Sequence, residues 1–308
     1  MESGNVYDYF TPVPHEKYHI WVCYQCNKCG KQFSLQESRS KRHLILHLQQ
    51  SCEPNFVPYS VPRSPTRVQG DKDHDVFKKR LKKDPPQNTA DLLLRLAKLS
   101  TCVIADAMAR VKIRGCLVDV SLARGYEAPL AMNICGLALT VKMMPSTGIT
   151  PPSSGSYDYM ETAKMGQVVV ISAPPGLTTA VFGGLLATAS KVRNLAGVVT
   201  DGRVRDLQDL SAMNFPAFAT GTSVHGVYGS TTVAEVNRTV VVAGCVVRPN
   251  DIIRGDMSGV VVIPPERAQE IALRAEIIED QDSQIVEAVD EGEPLYCSIR
   301  RVRSSLKV

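Results

Sequence analysis

The chain of 308 residues holds one tryptophan, and from residue 89 onward it has none and a single histidine, His225. That scarcity removes any multi-histidine metal site, and most hydrolase arrangements built on a histidine base, from this stretch. No Gly-x-Ser-x-Gly elbow is present, and the Gly-x-Gly-x-x-Gly spacing of a dinucleotide fingerprint is missing. No apolar run reaches the ~18 residues that a membrane-spanning helix needs. The first ten residues, MESGNVYDYF, lack the basic and apolar regions of a secretory leader. No internal repeat of the solenoid kind occurs.

What is present is ordinary for a globular protein: 44% hydrophobic and 21% charged residues. The length suits one large domain or two unequal ones. Of the nine cysteines, Cys23, Cys26, Cys29 and Cys52 gather near His43 and His47. Cys102, Cys116, Cys135, Cys245 and Cys297 are scattered, mostly in apolar runs, as expected of buried free thiols. The odd count implies a reducing compartment, and a cytoplasmic protein is expected, with a nuclear alternative through the N-terminal region. Charge is uneven: residues 1–90 carry 14 Lys/Arg against 9 Asp/Glu, and the remainder is close to neutral. Any polyanionic partner is therefore expected at the N-terminal end.

Three segments follow from texture. Residues 1–51 form a candidate metal module, 52–88 a Pro-rich basic linker containing KKRLKK, and 89–308 the large domain. In the large domain, ADLLLRLAKL and CVIADAMARV have helical spacing, with Ser100 or Thr101 placed to cap the second. Strands are expected at Asn133–Val141, Gln167–Ser172, Ala196–Thr200, Ala217–Thr220, Thr239–Val247 and Gly259–Ile263. Helices are expected after Gly183-Gly184, over Leu207–Met213, and from Pro265 through ERAQEIALRAEIIEDQDSQIVEAV. Interleaved strands and helices give an α/β domain of ~220 residues.

In the N-terminal module, Cys26 and Cys29 stand two residues apart, His43 and His47 three apart, with thirteen residues between the pairs. Two thiolates and two imidazoles one helical turn apart can complete a tetrahedron around a structural Zn²⁺. The pattern resembles a two-Cys two-His zinc finger, although Ser40 replaces the leucine expected before the first histidine and Cys23 offers a competing register. Arg39, Lys41 and Arg42 suit phosphate contacts, but a lone finger reads only about three base pairs, so a protein-docking or purely structural role stands equally open.

The most informative stretch is Gly183-Gly184-Leu185-Leu186, then a helix, a strand, and Asp201-Gly202-Arg203-Val204-Arg205-Asp206. A helix N-terminus attracts anions, an arginine fork grips carboxylates, and an aspartate suits a hard divalent cation. Together they describe a site for a small, metal-chelated oxo-acid. Asp201 and Asp209 read as capping or supporting groups, His225 as a loop residue, and Asp106, Asp251 and Asp256 as structural.

FGGLLATASKVRNLAGVVTDGRVRDLQDL, FPAFATGTS and VVRPNDIIRGDMSGVVVIPPERAQEI together resemble the RraA-like family over roughly 92–287. That family includes class II 4-hydroxy-4-methyl-2-oxoglutarate aldolases with oxaloacetate decarboxylase activity, and regulators that bind ribonuclease E. The resemblance implies a compact swivelling-type β/β/α domain assembled as a trimer or hexamer. It implies that backbone groups of Gly183, Gly184, Leu185 and Leu186 bind the substrate, that Arg205 pairs with the pyruvyl carboxylate or enolate oxygen, and that Asp206 binds Mg²⁺ or Mn²⁺. Many aldolases of the family carry an acidic residue where Gly184 stands, and a glycine there is closer to the regulator pattern; the intact Arg-Asp pair favours the enzyme. A non-catalytic regulator binding a protein, and a nucleic-acid-associated factor led by the finger, are the alternatives.

Overall fold

The computed structural model describes residues 10–14, 21–26, 32–34, 88–123, 132–146, 158–227 and 229–305. The chain divides into two compact units, Met1–Gly70 and Asp71–Val308. In the first, β1 (Phe10–Pro14), β2 (Trp21–Cys26) and β3 (Gln32–Ser34) form an antiparallel meander that the sequence did not announce. Cys26 ends β2; Cys29, His43 and His47 lie outside the described residues, as does the expected linker.

The first described elements of the second unit are α1 (Thr89–Ala97) and α2 (Thr101–Arg110). Asn88 caps α1 by accepting from the Asp91 amide at 2.9 Å, and Ser100 caps α2 by accepting from Val103. After β4 (Ser121–Leu122) come the long β5 (Ile134–Pro145), the short α3 (Asp158–Thr162) and β6 (Val168–Ser172). Then follow β7 (Ala180–Phe182), α4 (Gly184–Val192), β8 (Gly197–Thr200), β9 (Arg203–Val204) and α5 (Leu207–Ala212). The remaining strands are β10 (Ala217–Ala219), β11 (Gly221–Thr222), β12 (Thr231–Val236), β13 (Val240–Val242), β14 (Cys245–Val247), β15 (Ile252–Asp256) and β16 (Gly259–Ile263). Helices α6 (Ala268–Asp290) and α7 (Leu295–Ser305) finish the chain.

The main sheet runs β16-β15-β5-β6-β8-β10-β4, with β12 also pairing β5. Its centre, β5-β6-β8-β10, is parallel. Val168–Ile171 and Gly197–Thr200 are buried throughout, which is why these strands read as unbroken apolar runs without alternation. The sheet nearly closes on itself. Leu117 donates to the Val260 carbonyl, Val262 donates to Gly115, and the same segment runs on into β4, which pairs β10. Closure removes exposed strand edges. One face of the long α6 buries Ile271, Ala272, Ala275 and Ile278 against Leu92, Leu96, Ile104 and Met108 of α1 and α2.

Several expectations need correction. The run Thr239–Val247 is a hairpin, β13-β14, because Ala243 and Gly244 both take positive φ (48° and 76°) and reverse the chain in two residues. Pro265 opens a 3₁₀ turn, Pro265–Arg267, and the α-helix proper starts at Ala268. Of Cys102, Cys116, Cys135, Cys245 and Cys297 none is fully buried, and Cys102 and Cys116 are exposed. Among the described residues no helix is long and apolar enough to cross a membrane.

Candidate functional site

A second, small parallel sheet, ordered β11-β9-β7, builds the site. Phe182 at the end of β7 pairs in register with Val204 at the end of β9. The next residues, Gly183-Gly184 and Arg205-Asp206, therefore leave the sheet side by side at its carboxyl edge, where open parallel sheets place their ligands. The Arg205 amide donates to the Phe182 carbonyl at 3.0 Å and fixes this register at the last rung. The ring of Phe182, 2% exposed, stacks on Phe215 with centroids 5.9 Å apart. Apolar packing under the strand end thus holds the glycine turn in place. The Arg-Asp pair was expected just past Thr200; it sits instead at the end of β9, a separate two-residue strand.

Gly183 is the N-cap of α4 and offers no capping side chain. The helix therefore presents first-turn amides without intrahelical acceptors. The Gly184 amide is taken by Asp206 Oδ2 at 2.8 Å, while those of Leu185 and Leu186 have no acceptor among the described residues. Asp206 reaches back because it adopts the left-handed conformation, φ 59° and ψ 45°, just before α5. Arg205 Nε lies 3.4 Å from the same carboxylate oxygen, and both side chains remain roughly two-fifths exposed (40% and 36%). Asp209 joins from α5: a Cβ on Gly184 would fall 2.8 Å from its Oδ2. The Leu185 side chain is 85% exposed, so its contribution to the site is its backbone, whereas Leu186 packs against the core.

Asp201 acts as a clamp. Its carboxylate accepts from the Ala173 amide at 2.8 Å and the Ala243 amide at 3.1 Å, and burial pushes its pKa above the ordinary value. It ties the loop after β6 to the β13-β14 turn. Asp251 is buried and caps its own turn, accepting from Arg248. Asp256 accepts from the amide and hydroxyl of Thr101 and from the Ser258 amide. His225 is exposed, and its carbonyl accepts from Ala180 at 2.7 Å. Sequence reasoning missed the neighbouring Gly226, which bridges β7; nothing but a Gly in a short loop signals it.

Among the described residues no three His, Cys, Asp or Glu side chains gather as a metal cage. One carboxylate at a solvent-accessible edge matches Mg²⁺, which keeps most of its waters and uses one or two protein carboxylates together with substrate oxygens.

A mixed α/β unit with a nearly closed sheet and a carboxyl-edge Gly-Gly/Arg-Asp site defines the class. Residues 101–262, more than half of the chain, match the family described as RraA-like: Aldolase/RraA, and the chain belongs to that family. It is 28% identical over 208 residues to Protein DlpA of Legionella pneumophila, covering 67% of this chain and 32% of that protein. A Halalkalibacterium halodurans protein with the provisional name 4-hydroxy-4-methyl-2-oxoglutarate aldolase is 32% identical over 133 residues, 43% of this chain and 63% of its own length. The chain thus spans less than two thirds of these curated relatives. An uncharacterized Pseudomonas syringae protein superposes with a TM-score of 0.60 at 25% identity, over 69% of this chain and 98% of the other. Streptomyces coelicolor RraAS2, described as an unusual member of the RNase ES inhibitor RraA family, shares the fold at a TM-score of 0.56 and 24% identity, over 64% and 96%.

Proposed function

We propose that the chain is a divalent-metal-dependent carbon–carbon lyase. It would cleave 2-oxo acids of the 4-hydroxy-4-methyl-2-oxoglutarate type to pyruvate and decarboxylate oxaloacetate. The observation that carries this reading is the register of β7 with β9, which sets free α4 amides, one guanidinium and one carboxylate at a single sheet edge. The provisional aldolase name of the H. halodurans relative supports it.

Breaking the C3–C4 bond, one carbon removed from the 2-oxo carbon, leaves its electron pair on C3 as a pyruvate enolate, and both reactions share it. The amides of Leu185 and Leu186, at the positive end of α4, bind the substrate carboxylate. Arg205 pairs with the carboxylate or the developing enolate oxygen, where a preorganised cation lowers the barrier most. Asp206 would hold Mg²⁺ or Mn²⁺, which supplies Lewis acidity at the 2-oxo group. No lysine is required. Assembly as a homotrimer or hexamer, with sites at subunit boundaries, is part of the same proposal and rests on the family resemblance. Zn²⁺ in the N-terminal module, and protein or nucleic-acid contacts there, remain proposals of the sequence alone.

The test is pyruvate release from oxaloacetate with added Mg²⁺. EDTA and Asp206→Ala should each abolish it; release that survives both overturns the reading.

A further inference from the structure

Arg205 lies between two glycines that come from different parts of the chain. An alanine Cβ built on Gly183 would fall 2.7 Å from Asp206 Oδ2, 2.9 Å from Arg205 Cγ and 3.1 Å from its Nε. One built on Gly226 would fall 2.9 Å from Nη1, 3.1 Å from Cζ and 3.6 Å from Nη2. Carbon contacts are comfortable at about 3.5–4.0 Å, so neither position has room for a methyl group while Arg205 keeps its place. Backbone conformation does not require glycine at either site. Gly183 is extended (φ −162°), and Gly226 is not among the residues with positive φ. The missing side chains therefore serve space, which Arg205 fills at both positions and the Asp206 carboxylate shares at Gly183.

We propose that Gly183 and Gly226 form a slot that aims the Arg205 guanidinium, with Gly226 a positioning residue for it. The stem lies over Gly183 and the head over Gly226, so a side chain at either glycine would displace the guanidinium. The loop is itself pinned: Ala180 of β7 donates to the His225 carbonyl at 2.7 Å and bridges Gly226. Both walls of the slot thus hang from β7, the strand that also delivers the glycine turn. The role assigned to Gly226 rests on the reading of Arg205 given above.

The test is a double-mutant cycle on oxalate binding in the presence of Mg²⁺, with Gly226→Ala, Arg205→Ala and their combination. Gly221→Ala is the matched control, because its Cβ would fall 2.9 Å from Nη1 of Arg203. Misplacing a catalytic group by about 1 Å can cost ~100-fold, so Gly226→Ala should weaken oxalate at least about tenfold. In the Arg205→Ala background the same change should cost less than about twofold, since the two act as one unit. Gly221→Ala should bind like the parent. Unchanged affinity of Gly226→Ala, or a loss that multiplies in full with that of Arg205→Ala, overturns the slot. If the parent itself fails to bind oxalate, the lyase reading falls, and a crystal structure of Gly226→Ala decides: a displaced guanidinium supports the slot and an unmoved one overturns it. If Gly226→Ala alone does not fold, recovery of folding in the combination with Arg205→Ala supports the slot, and failure of that combination overturns it.

Discussion

The Gly184 amide donates a 2.8 Å hydrogen bond to Oδ2 of Asp206, so the proposed metal ligand also caps the helix that would bind substrate. The two duties can be separated. Asparagine keeps an acceptor for the amide and tolerates the left-handed backbone at φ 59°, but loses the charge. Asp206→Asn should therefore keep the parental melting temperature within a few degrees and show no Mg²⁺-dependent turnover. Asp206→Ala should lose turnover and also about 1–2 kcal/mol of stability, from the strained φ and the lost bond. Parallel thermal and pyruvate assays check both.

Arg205→Lys keeps one positive charge but loses the planar fork. The expected outcome is a fall in kcat of about 10²–10³, the usual penalty for losing one donor to a developing oxyanion, with a smaller change in KM. Steady-state kinetics with oxaloacetate measure it, and a parental kcat would remove Arg205 from the enolate role.

Phe182 holds the β7 end through its stack on Phe215. Phe182→Ala should destabilise the protein by about 3–5 kcal/mol, as for other fully buried aromatics, measured by denaturant unfolding. Phe182→Leu should recover most of the stability yet lower turnover, because the glycine turn and Arg205 hang from the same strand end.

Arg254 and Asp256 give the fold a pH dependence. Burial opposes ionisation of Asp256, but hydrogen bonds from Thr101 and Ser258, with Arg254 nearby, outweigh it and hold the carboxyl below its ordinary range. A depressed folded pKa means stability that is fully present above the unfolded value of about 3.9 and is lost as pH falls through the lower folded value. Melting temperature should drop below about pH 4, and Asp256→Asn should show a lower plateau and a shallower drop. Arg254, 3% exposed, donates to the carbonyls of Leu99, Ile134 and Gly255. Arg254→Met should cost about 3–5 kcal/mol, as when one partner of a buried charged pair is removed.

The parts legible in the sequence were those with a strong period or a strong punctuation. The central strands β5, β6 and β8 are apolar runs, α2 announces its cap at Ser100, and Gly183-Gly184 marks the start of α4. The site strands β7 and β9 have three and two residues, too short to carry any period, and their pairing depends on burial of Phe182 and Val204. β15 reads as a turn because Asn250-Asp251 precedes it and Gly255-Asp256 ends it, yet Arg254 is buried within it. The β13-β14 turn uses Ala243-Gly244 in place of the usual Asn-Gly signal, so the run looked continuous. Gly226 earns its place only from Arg205, twenty-one residues earlier in the chain, a contact that no local pattern encodes.

A crystal structure of the protein with Mg²⁺ and oxalate, a mimic of the pyruvate enolate, tests the central claim most directly. The account predicts oxalate within hydrogen-bond distance of the Arg205 guanidinium and the first-turn amides of α4, with the metal on the Asp206 side. Oxalate bound elsewhere, with Arg205 and Asp206 both turned to bulk solvent, would contradict it.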